Sequence, residues 1–118
     1  MVGVELCEDL WSSAPPSVFL AQSGATLILN LSASNETVGK ADYRRALVAG
    51  QSGRLMCGYV YADAGEGEST TDLVFAGHNL IAENGAVLAE RRFADGLTVS
   101  EVDVARIAFE RRRITTFP

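Results

Sequence analysis

The sequence predicts an α/β fold in which helices flank a mixed sheet. Short apolar runs alternate with two helical segments over residues 1–62, an order typical of parallel strands connected by helices. Asn84-Gly85 lies between two further apolar runs, which is a strong signal for a β-hairpin. The sheet should therefore change from parallel to antiparallel connections along the chain. Helices on one side only would leave its other face bare, to be covered by another sheet or subunit.

The first half of the chain is predicted to run strand, helix, strand, helix, strand. Val2, Val4 and Leu6 alternate with Gly3 and Glu5, which is the period of a strand with a buried face. Because a natural domain rarely begins inside a core strand, the chain is interpreted as part of a larger protein that starts in mid-domain. The predicted elements are a strand at 1–7, a helix at 17–23, a strand at 26–31, a helix at 40–55 and a strand at 56–62.

The second half is predicted to consist of antiparallel strands followed by a short helix. Asp103 caps that helix, which carries Ile107 and Phe109. The other predicted elements are strands at 72–76, 79–82, 87–90 and 97–102, a polar loop at 65–71 and a hairpin turn at 83–85.

Nine of the ten basic residues are arginines, and most are assigned to solvated helix surfaces. The apolar stripe of the helix at 40–55 consists of Tyr43, Leu47, Val48 and Leu55. Arg44, Arg45 and Arg54 are placed mostly on its opposite, water-facing side. The run 111–113 is interpreted as a solvated helix C-terminus, where positive charge suits the helix dipole.

Composition excludes several classes of function. The net charge of −5 disfavours a nucleic-acid partner. No apolar run approaches the roughly 20 residues that span a bilayer, so no membrane partner is predicted. Two cysteines do not make a disulfide framework, and a reduced, cytoplasmic setting is expected. The acidic side chains of Glu66, Glu68 and Asp72 lack the His/Cys spacing of a zinc site, and no metal is predicted.

Cys7 is the candidate nucleophile, because it ends the first strand and enters a sharp polar turn. The thiolate is the reactive form of cysteine, and a strand-to-helix turn exposes a side chain while it directs backbone N–H groups toward it. The alternative is that Cys7 is a small apolar residue that fills the end of the strand. For Cys57, within a predicted strand, that structural interpretation is favoured.

A cysteine nucleophile needs an activating neighbour, and the sequence offers two candidates. A Cys–His pair would use His78, the sole histidine, but no sequence signal links it to Cys7 and a structural hydrogen-bonding role is favoured. Lys40, the sole lysine, comes after the end of one predicted strand, just as residues 7–11 come after the end of another. Ligands bind at these ends of parallel strands in open α/β sheets, so Lys40 is expected to reach a ligand near Cys7.

Several motifs follow one another along nearly the whole chain. They are Glu5-Leu6-Cys7-Glu8-Asp9-Leu10-Trp11, Asn30-Leu31-Ser32-Ala33-Ser34-Asn35, Gly39-Lys40, Tyr43-Arg44, Gly58-Tyr59-Val60-Tyr61, Gly65-Glu66-Gly67-Glu68-Ser69-Thr70-Thr71-Asp72, Phe75-Ala76-Gly77-His78 and Ile81-Ala82-Glu83-Asn84-Gly85. In this order they resemble the glutaminase domain of the glutamine-dependent NAD⁺ synthetase family, a branch of the nitrilase (carbon–nitrogen hydrolase) superfamily.

The resemblance implies a four-layer α-β-β-α sandwich and a site built on a cysteine. Cys7 would attack the side-chain amide of glutamine, ammonia would leave, and water would hydrolyse the γ-glutamyl thioester. The backbone N–H of Glu8 would donate to the oxyanion. The family positions that match Ser34 and Lys40 contact glutamine, which suits a hydroxyl and a cation at the amino-acid end of this substrate.

The chain departs from the family pattern because the family's catalytic Glu and Lys both precede the cysteine, and only six residues precede Cys7. Lys40 follows Cys7, so it cannot be that lysine. Residues 1–118 are therefore expected to be a fragment, the C-terminal part, of one glutaminase domain truncated at its N-terminus. The fragment alone is predicted to have negligible glutaminase activity. A bare apolar sheet face predicts a homo-oligomer, which size-exclusion chromatography would reveal.

The ATP-dependent synthetase domain of the family is also missing, since no Ser-Gly-Gly-rich pyrophosphatase loop occurs. No cofactor is predicted for this fragment. The parent protein is expected to be a ligase that uses ATP and Mg²⁺ to amidate nicotinic acid adenine dinucleotide to NAD⁺. Two alternatives stay open: another nitrilase-type amidase or carbamoylase, and a non-catalytic α/β interaction module in which Cys7 is structural.

Overall fold

A computed structural model describes residues 1–118, and a five-stranded mixed sheet forms its centre. The strands are β1 (Val2–Leu6), β2 (Leu27–Ser32), β3 (Gly58–Asp63), β4 (Asn79–Glu83) and β5 (Ala86–Arg91). The helices are α1 (Pro16–Gln22), α2 (Lys40–Leu55) and α3 (Val104–Arg113), with short 3₁₀ helices at Cys7–Trp11 and Glu66–Glu68. The strands lie in the order β1-β2-β3-β4-β5, parallel up to β3 and antiparallel from β3 to β5. This confirms the predicted α/β class and the change in strand direction.

The core lies between the helices and one face of the sheet. Ile28, Tyr59, Tyr61 and Leu80 line that face, and Val48 of α2 packs against them. On β1, however, it is Gly3 and Glu5 that point into the core, whereas the apolar side chains lie on the opposite face. The residues more than half exposed there include Val2, Val4, Leu6 and Leu31.

The reason for this register is the close approach of α1 to β1. A Cβ atom on Gly3 would lie 3.0 Å from Leu20 and 3.0 Å from Ile28, tighter than most Cβ contacts, so a side chain here would press on both neighbours. The valines of β1 therefore face away from α1, and the sheet keeps the bare apolar face that the sequence predicted.

The predicted hairpin at Asn84-Gly85 is confirmed. Both residues have positive φ, 46° and 90°, as two-residue hairpin turns of this type require. The turn lies against α2, where the N–H of Gly85 donates to the Ser52 hydroxyl over 2.9 Å. A Cβ on Gly53 would lie 3.2 Å from the Gly85 Cα, so a side chain here would press the turn away from the helix by a few tenths of an ångström.

Two predicted strands do not form. The segment 72–76 is a loop whose N–H groups are satisfied locally, since Thr70 Oγ1 accepts from both Asp72 and Leu73. The segment 97–102 is irregular and pairs with no strand, and its Val102 packs beside Gly58 at the start of β3.

The arginine assignments were partly wrong. Arg44, assigned to the water-facing side of its helix, is fully buried, and Tyr43, assigned to the apolar stripe, is exposed. Arg111 is also buried, and its guanidinium donates to the carbonyls of Leu55 and Met56 at the end of α2, at 3.0 and 2.9 Å. It replaces water at helix carbonyls that have no intrahelical partner.

The remaining assignments for the last helix hold in part. Asp103 caps α3 as predicted, accepting from the N–H of Arg106 over 2.9 Å. Ile107 is buried, Phe109 is exposed, and the residues after Arg111 in the arginine run are solvated. None of the three helices combines the length and the apolar character needed to cross a membrane.

Candidate active site

Cys7 lies where β1 turns sharply into the first 3₁₀ helix. Its φ is +43°, in the left-handed region that a non-glycine residue enters at a cost of about 1–2 kcal/mol. Asp9 closes the turn, because its carboxylate accepts from the N–H of Leu6 over 2.7 Å. Cys7 is only partly buried, so its thiol is not enclosed in the core. Backbone strain of this kind is often found at functional sites.

A cavity of about 440 Å³ opens beside this turn. All four residues singled out from the sequence line it: Cys7, Glu8, Ser34 and Lys40. They come together because β1 and β2 are parallel neighbours, so the segments after both strands emerge at the same edge of the sheet. Trp11 and Asn35 line the same cavity, although the sequence analysis assigned them no role in a site.

Ser34 and Lys40 differ in how firmly they are held. Ser34 is buried, its N–H donates to Asp63 Oδ1 over 2.7 Å, and its hydroxyl accepts from Arg44 over 3.0 Å. The hydroxyl therefore keeps its own proton for a further hydrogen bond. Lys40 opens α2 and lines the cavity; its ammonium donates to Asn35 Oδ1 over 2.7 Å and has further donors besides that one.

Arg44 organises the loop that carries Ser34, and the sequence analysis missed this role. Its guanidinium donates to Glu36 Oε1 at 2.7 Å, to His78 Nδ1 at 2.8 Å and to the carbonyl of Asn35 at 3.2 Å. With the bond to Ser34, one buried side chain connects four groups. Five donors in a rigid fork make arginine suited to such a junction.

His78 takes the structural role that the sequence analysis favoured. A guanidinium can only donate, so His78 Nδ1 must accept from Arg44, and Nε2 must carry the ring proton. That proton is donated to Glu90 Oε1 over 2.8 Å. Both ring nitrogens are thus used away from Cys7. Hydrogen bonds from His78 and Arg45 lower the pKa of Glu90, although partial burial opposes them.

Asp63 connects the end of β3 to the same loop. Its Oδ1 accepts from the N–H groups of Ser34 and Ala64, at 2.7 and 3.0 Å, while its buried Oδ2 has no partner. Burial raises the pKa of this carboxyl group, and the hydrogen bonds oppose that rise. No group of three or more His, Cys, Asp or Glu side chains in residues 1–118 is arranged to hold a metal ion.

Cys57 differs from Cys7 in being completely buried. Burial raises its pKa from 9.0 to about 12, an effect that Arg111 opposes and Glu5 reinforces. This agrees with the structural interpretation of Cys57. The contribution of the Cys57 thiol to the free energy of unfolding is fully present below pH 9. It is lost as the pH rises toward 12, because the thiol releases its proton in the unfolded chain and retains it in the folded one.

We therefore expect the free energy of unfolding to fall by about 1.4 kcal/mol per pH unit between about pH 9 and pH 12 from this thiol alone. Tyr59, whose pKa burial also raises, adds to the slope above its ordinary value of 10.0. Urea unfolding at a series of pH values measures the effect. Cys57→Ala should flatten the slope between pH 9 and 10, and an unchanged slope would contradict the assignment.

No protein-family model matches this chain. Among curated proteins, the glutamine-dependent NAD(+) synthetase of Mycobacterium bovis is 50% identical over 117 residues, which is 97% of this chain and 17% of that protein. The Mycobacterium leprae enzyme of the same name is 49% identical over the same shares. That of Arabidopsis thaliana is 30% identical over 120 residues, 98% of this chain and 16% of its own. The chain thus spans about a sixth of the relatives it matches.

Solved structures of glutamine-dependent NAD(+) synthetases are also similar to this chain. A glutamine-dependent NAD(+) synthetase from Cytophaga hutchinsonii is 33% identical, with a TM-score of 0.66 over 83% of this chain and 15% of that one. The synthetase from Acinetobacter baumannii is 27% identical, with a TM-score of 0.73 over 80% and 18%. A nitrilase-superfamily member from Saccharomyces cerevisiae reaches a TM-score of 0.80 at 19% identity, over 99% and 42%, and shares the fold.

Proposed function

Because this chain corresponds to a segment of the glutaminase domain of glutamine-dependent NAD⁺ synthetases and has the α/β fold of the nitrilase superfamily, we propose that it carries the nucleophile of a glutamine-hydrolysing site. The observation that supports this most is the position of Cys7. It sits in a left-handed strand-to-helix turn and faces a cavity shared with Glu8, Ser34 and Lys40.

In the proposed reaction, the Cys7 sulfur attacks the side-chain amide carbon of glutamine. The negative charge that develops on the amide oxygen is stabilised by the backbone N–H of Glu8, which follows the nucleophile. The C–N bond breaks and the amide nitrogen leaves as ammonia. Water then attacks the γ-glutamyl thioester, releasing glutamate and restoring the thiol.

Ser34 and Lys40 are proposed to hold the amino-acid end of glutamine. The Lys40 ammonium would pair with the α-carboxylate, and the free proton of the Ser34 hydroxyl would donate to it. Both side chains line the same cavity as Cys7, whose volume of about 440 Å³ is within the range of small-molecule sites.

The rest of the machinery is proposed to lie outside these 118 residues. The acid–base Glu and the Lys that the family places before the nucleophile have no counterpart here, and neither does the synthetase domain. The exposed acidic residues Glu66, Glu68 and Asp72 do not fit Mg²⁺, because no cluster of this chain's side chains could hold a metal ion. ATP, Mg²⁺ and nicotinic acid adenine dinucleotide are accordingly assigned to that other domain, and residues 1–118 to one glutaminase-domain fragment.

Two further assignments are proposals of the same kind. A homo-oligomer would cover the apolar face that carries Val2, Val4, Leu6 and Leu31. A cytoplasmic location would keep Cys7 reduced.

The isolated chain should release ammonia from glutamine at a negligible rate, whereas the full-length protein should turn over glutamine readily. Ammonia release is measured for both, with asparagine and an N-carbamoyl amino acid as competing substrates. Preference for the carbamoyl compound would favour the carbamoylase alternative. Turnover by the isolated chain near that of the full-length protein would contradict the view that essential groups lie elsewhere.

The interaction-module alternative makes a different prediction for the thiols. If Cys7 were merely structural, it should be alkylated as slowly as Cys57. Its partial exposure, against the complete burial of Cys57, instead favours the nucleophile.

A further inference from the structure

A buried chain of polar side chains begins directly beneath Cys7. Asn30 contacts the backbone of Cys7 on both sides: Oδ1 accepts from its N–H over 3.1 Å, and Nδ2 donates to its carbonyl over 3.4 Å. The same Nδ2 donates to the Tyr59 hydroxyl over 3.1 Å, and that hydroxyl donates to Glu5. Asn30, Tyr59 and Glu5 are each at most 2% exposed.

In this chain of hydrogen bonds, the backbone of Cys7 determines which group donates and which accepts at every step. A backbone N–H can only donate and a carbonyl can only accept, so the carboxamide of Asn30 has one allowed orientation. Its Nδ2 must then be the donor to Tyr59, which leaves the Tyr59 proton to be donated to the Glu5 carboxylate. The orientation of the Asn30 carboxamide is therefore set by the backbone of Cys7 and supported by Tyr59 and Glu5.

The Glu5 end of this chain of hydrogen bonds is anchored in α1 and α2. The second oxygen of Glu5 accepts from the N–H of Ser17 in the first turn of α1, over 2.7 Å. The Ser17 hydroxyl accepts from Gln51 of α2 over 2.9 Å. The carboxamide beneath Cys7 is thus held by β1, β2, β3, α1 and α2 together, which leaves it little freedom to rotate.

We propose that Asn30 is the positioning residue that keeps Cys7 in its left-handed conformation, with the thiol directed at the cavity. The inference rests on the proposed function, in which Cys7 is the nucleophile. A non-glycine residue persists in the left-handed region only where its surroundings hold it there. One carboxamide that bonds both the N–H and the carbonyl of Cys7 fixes the backbone on both sides of its Cα.

A purely structural role would not require this residue. Asn30 occupies a position of β2 that faces the core beside Ile28, where an apolar side chain would avoid the cost of burying a carboxamide. Its polar atoms instead bond Cys7, Tyr59 and Ser32. The Ser32 hydroxyl donates the second bond to Asn30 Oδ1, over 2.6 Å.

The test uses the full-length protein and separates kcat from KM for glutamine hydrolysis. Asn30→Ala should lower kcat on the order of 100-fold, because misplacing a reacting atom by about 1 Å has effects of this size. KM should stay within about threefold of the parent value, since Ser34 and Lys40 are left in place. Gln51→Ala is the graded control: it removes a buried carboxamide at the far end of the same hydrogen-bonded chain, where its hydrogen bond goes to Ser17, so kcat should fall far less than in Asn30→Ala.

Asn30→Asp covers the case in which Asn30→Ala does not fold. It keeps the shape and the acceptor for the Cys7 N–H but cannot donate to the Cys7 carbonyl, and the same selective loss of kcat is expected. An unchanged kcat in a folded Asn30 variant would overturn the inference, as would an equal loss in Gln51→Ala. Cys7→Ala separates this from the proposed function: if that variant still hydrolyses glutamine, the proposed function itself fails.

Discussion

Replacing Cys7 with alanine in the full-length protein is expected to lower glutamine hydrolysis on the order of 10⁴-fold or more, the scale seen when a covalent nucleophile is removed. Without the sulfur no thioester forms, and the two-step route through an acyl-enzyme is closed. NAD⁺ formation from added ammonia should persist, because that step would not use Cys7. Ammonia release and NAD⁺ formation are measured on the same preparation.

Cys57→Ala is the control for this experiment. It removes the other cysteine of the chain, which is buried and away from the cavity, so glutamine hydrolysis should be retained. Residual hydrolysis in Cys7→Ala within tenfold of the parent would contradict the nucleophile assignment. Loss of both glutamine- and ammonia-dependent activity would instead indicate damage to the whole protein.

The largest effect on stability is expected from Arg44→Leu, which should lower the free energy of unfolding by about 3–5 kcal/mol. The guanidinium is fully buried and pairs with Glu36 over 2.7 Å, in addition to its bonds to His78 and the Ser34 loop. Leucine would leave Glu36 Oε1 and the acceptor nitrogen of His78 without their partner, and Glu36 would keep only Arg92, 3.7 Å from its Oε2. Urea unfolding at one protein concentration measures the loss.

Arg45→Leu is a closely matched control, since it changes the same residue type one position away. Arg45 pairs with Glu90 at the surface, where the two side chains are 50% and 34% exposed. An exposed pair of this kind contributes about 0–1 kcal/mol. If the two substitutions lowered the free energy of unfolding equally, the burial of Arg44 would not determine its contribution to stability.

Elements with a strong local pattern could be predicted from the sequence. The apolar runs that became β2 and β3, the helix at 40–55 and the hairpin at Asn84-Gly85 all carry periodicity or turn chemistry that allows few alternatives. The segments 72–76 and 97–102 are also apolar, but a strand requires a partner, and neither segment pairs with a strand of the sheet. Availability of a partner is a property of the fold that local composition does not encode.

The candidate site was predictable to the extent that it depends on strand direction. Parallel neighbours bring Cys7 and the segment after β2 to one edge, which places Ser34 and Lys40 beside the thiol. Arg44 and Asn30 were not predictable in this way. An arginine on an amphipathic helix is ordinarily solvated, and what buries Arg44 is the meeting of Glu36, His78 and the Ser34 loop around it.

The strand order also has a consequence for local opening. β3 is paired on both sides and contacts the helices, so its backbone amides should exchange with deuterium only when the whole fold opens. β1, which leads into Cys7, is paired only with β2 within this chain, and its amides should exchange through smaller fluctuations. Cys7 therefore follows an edge strand, and a ligand that ties the ends of β1 and β2 together should slow exchange there.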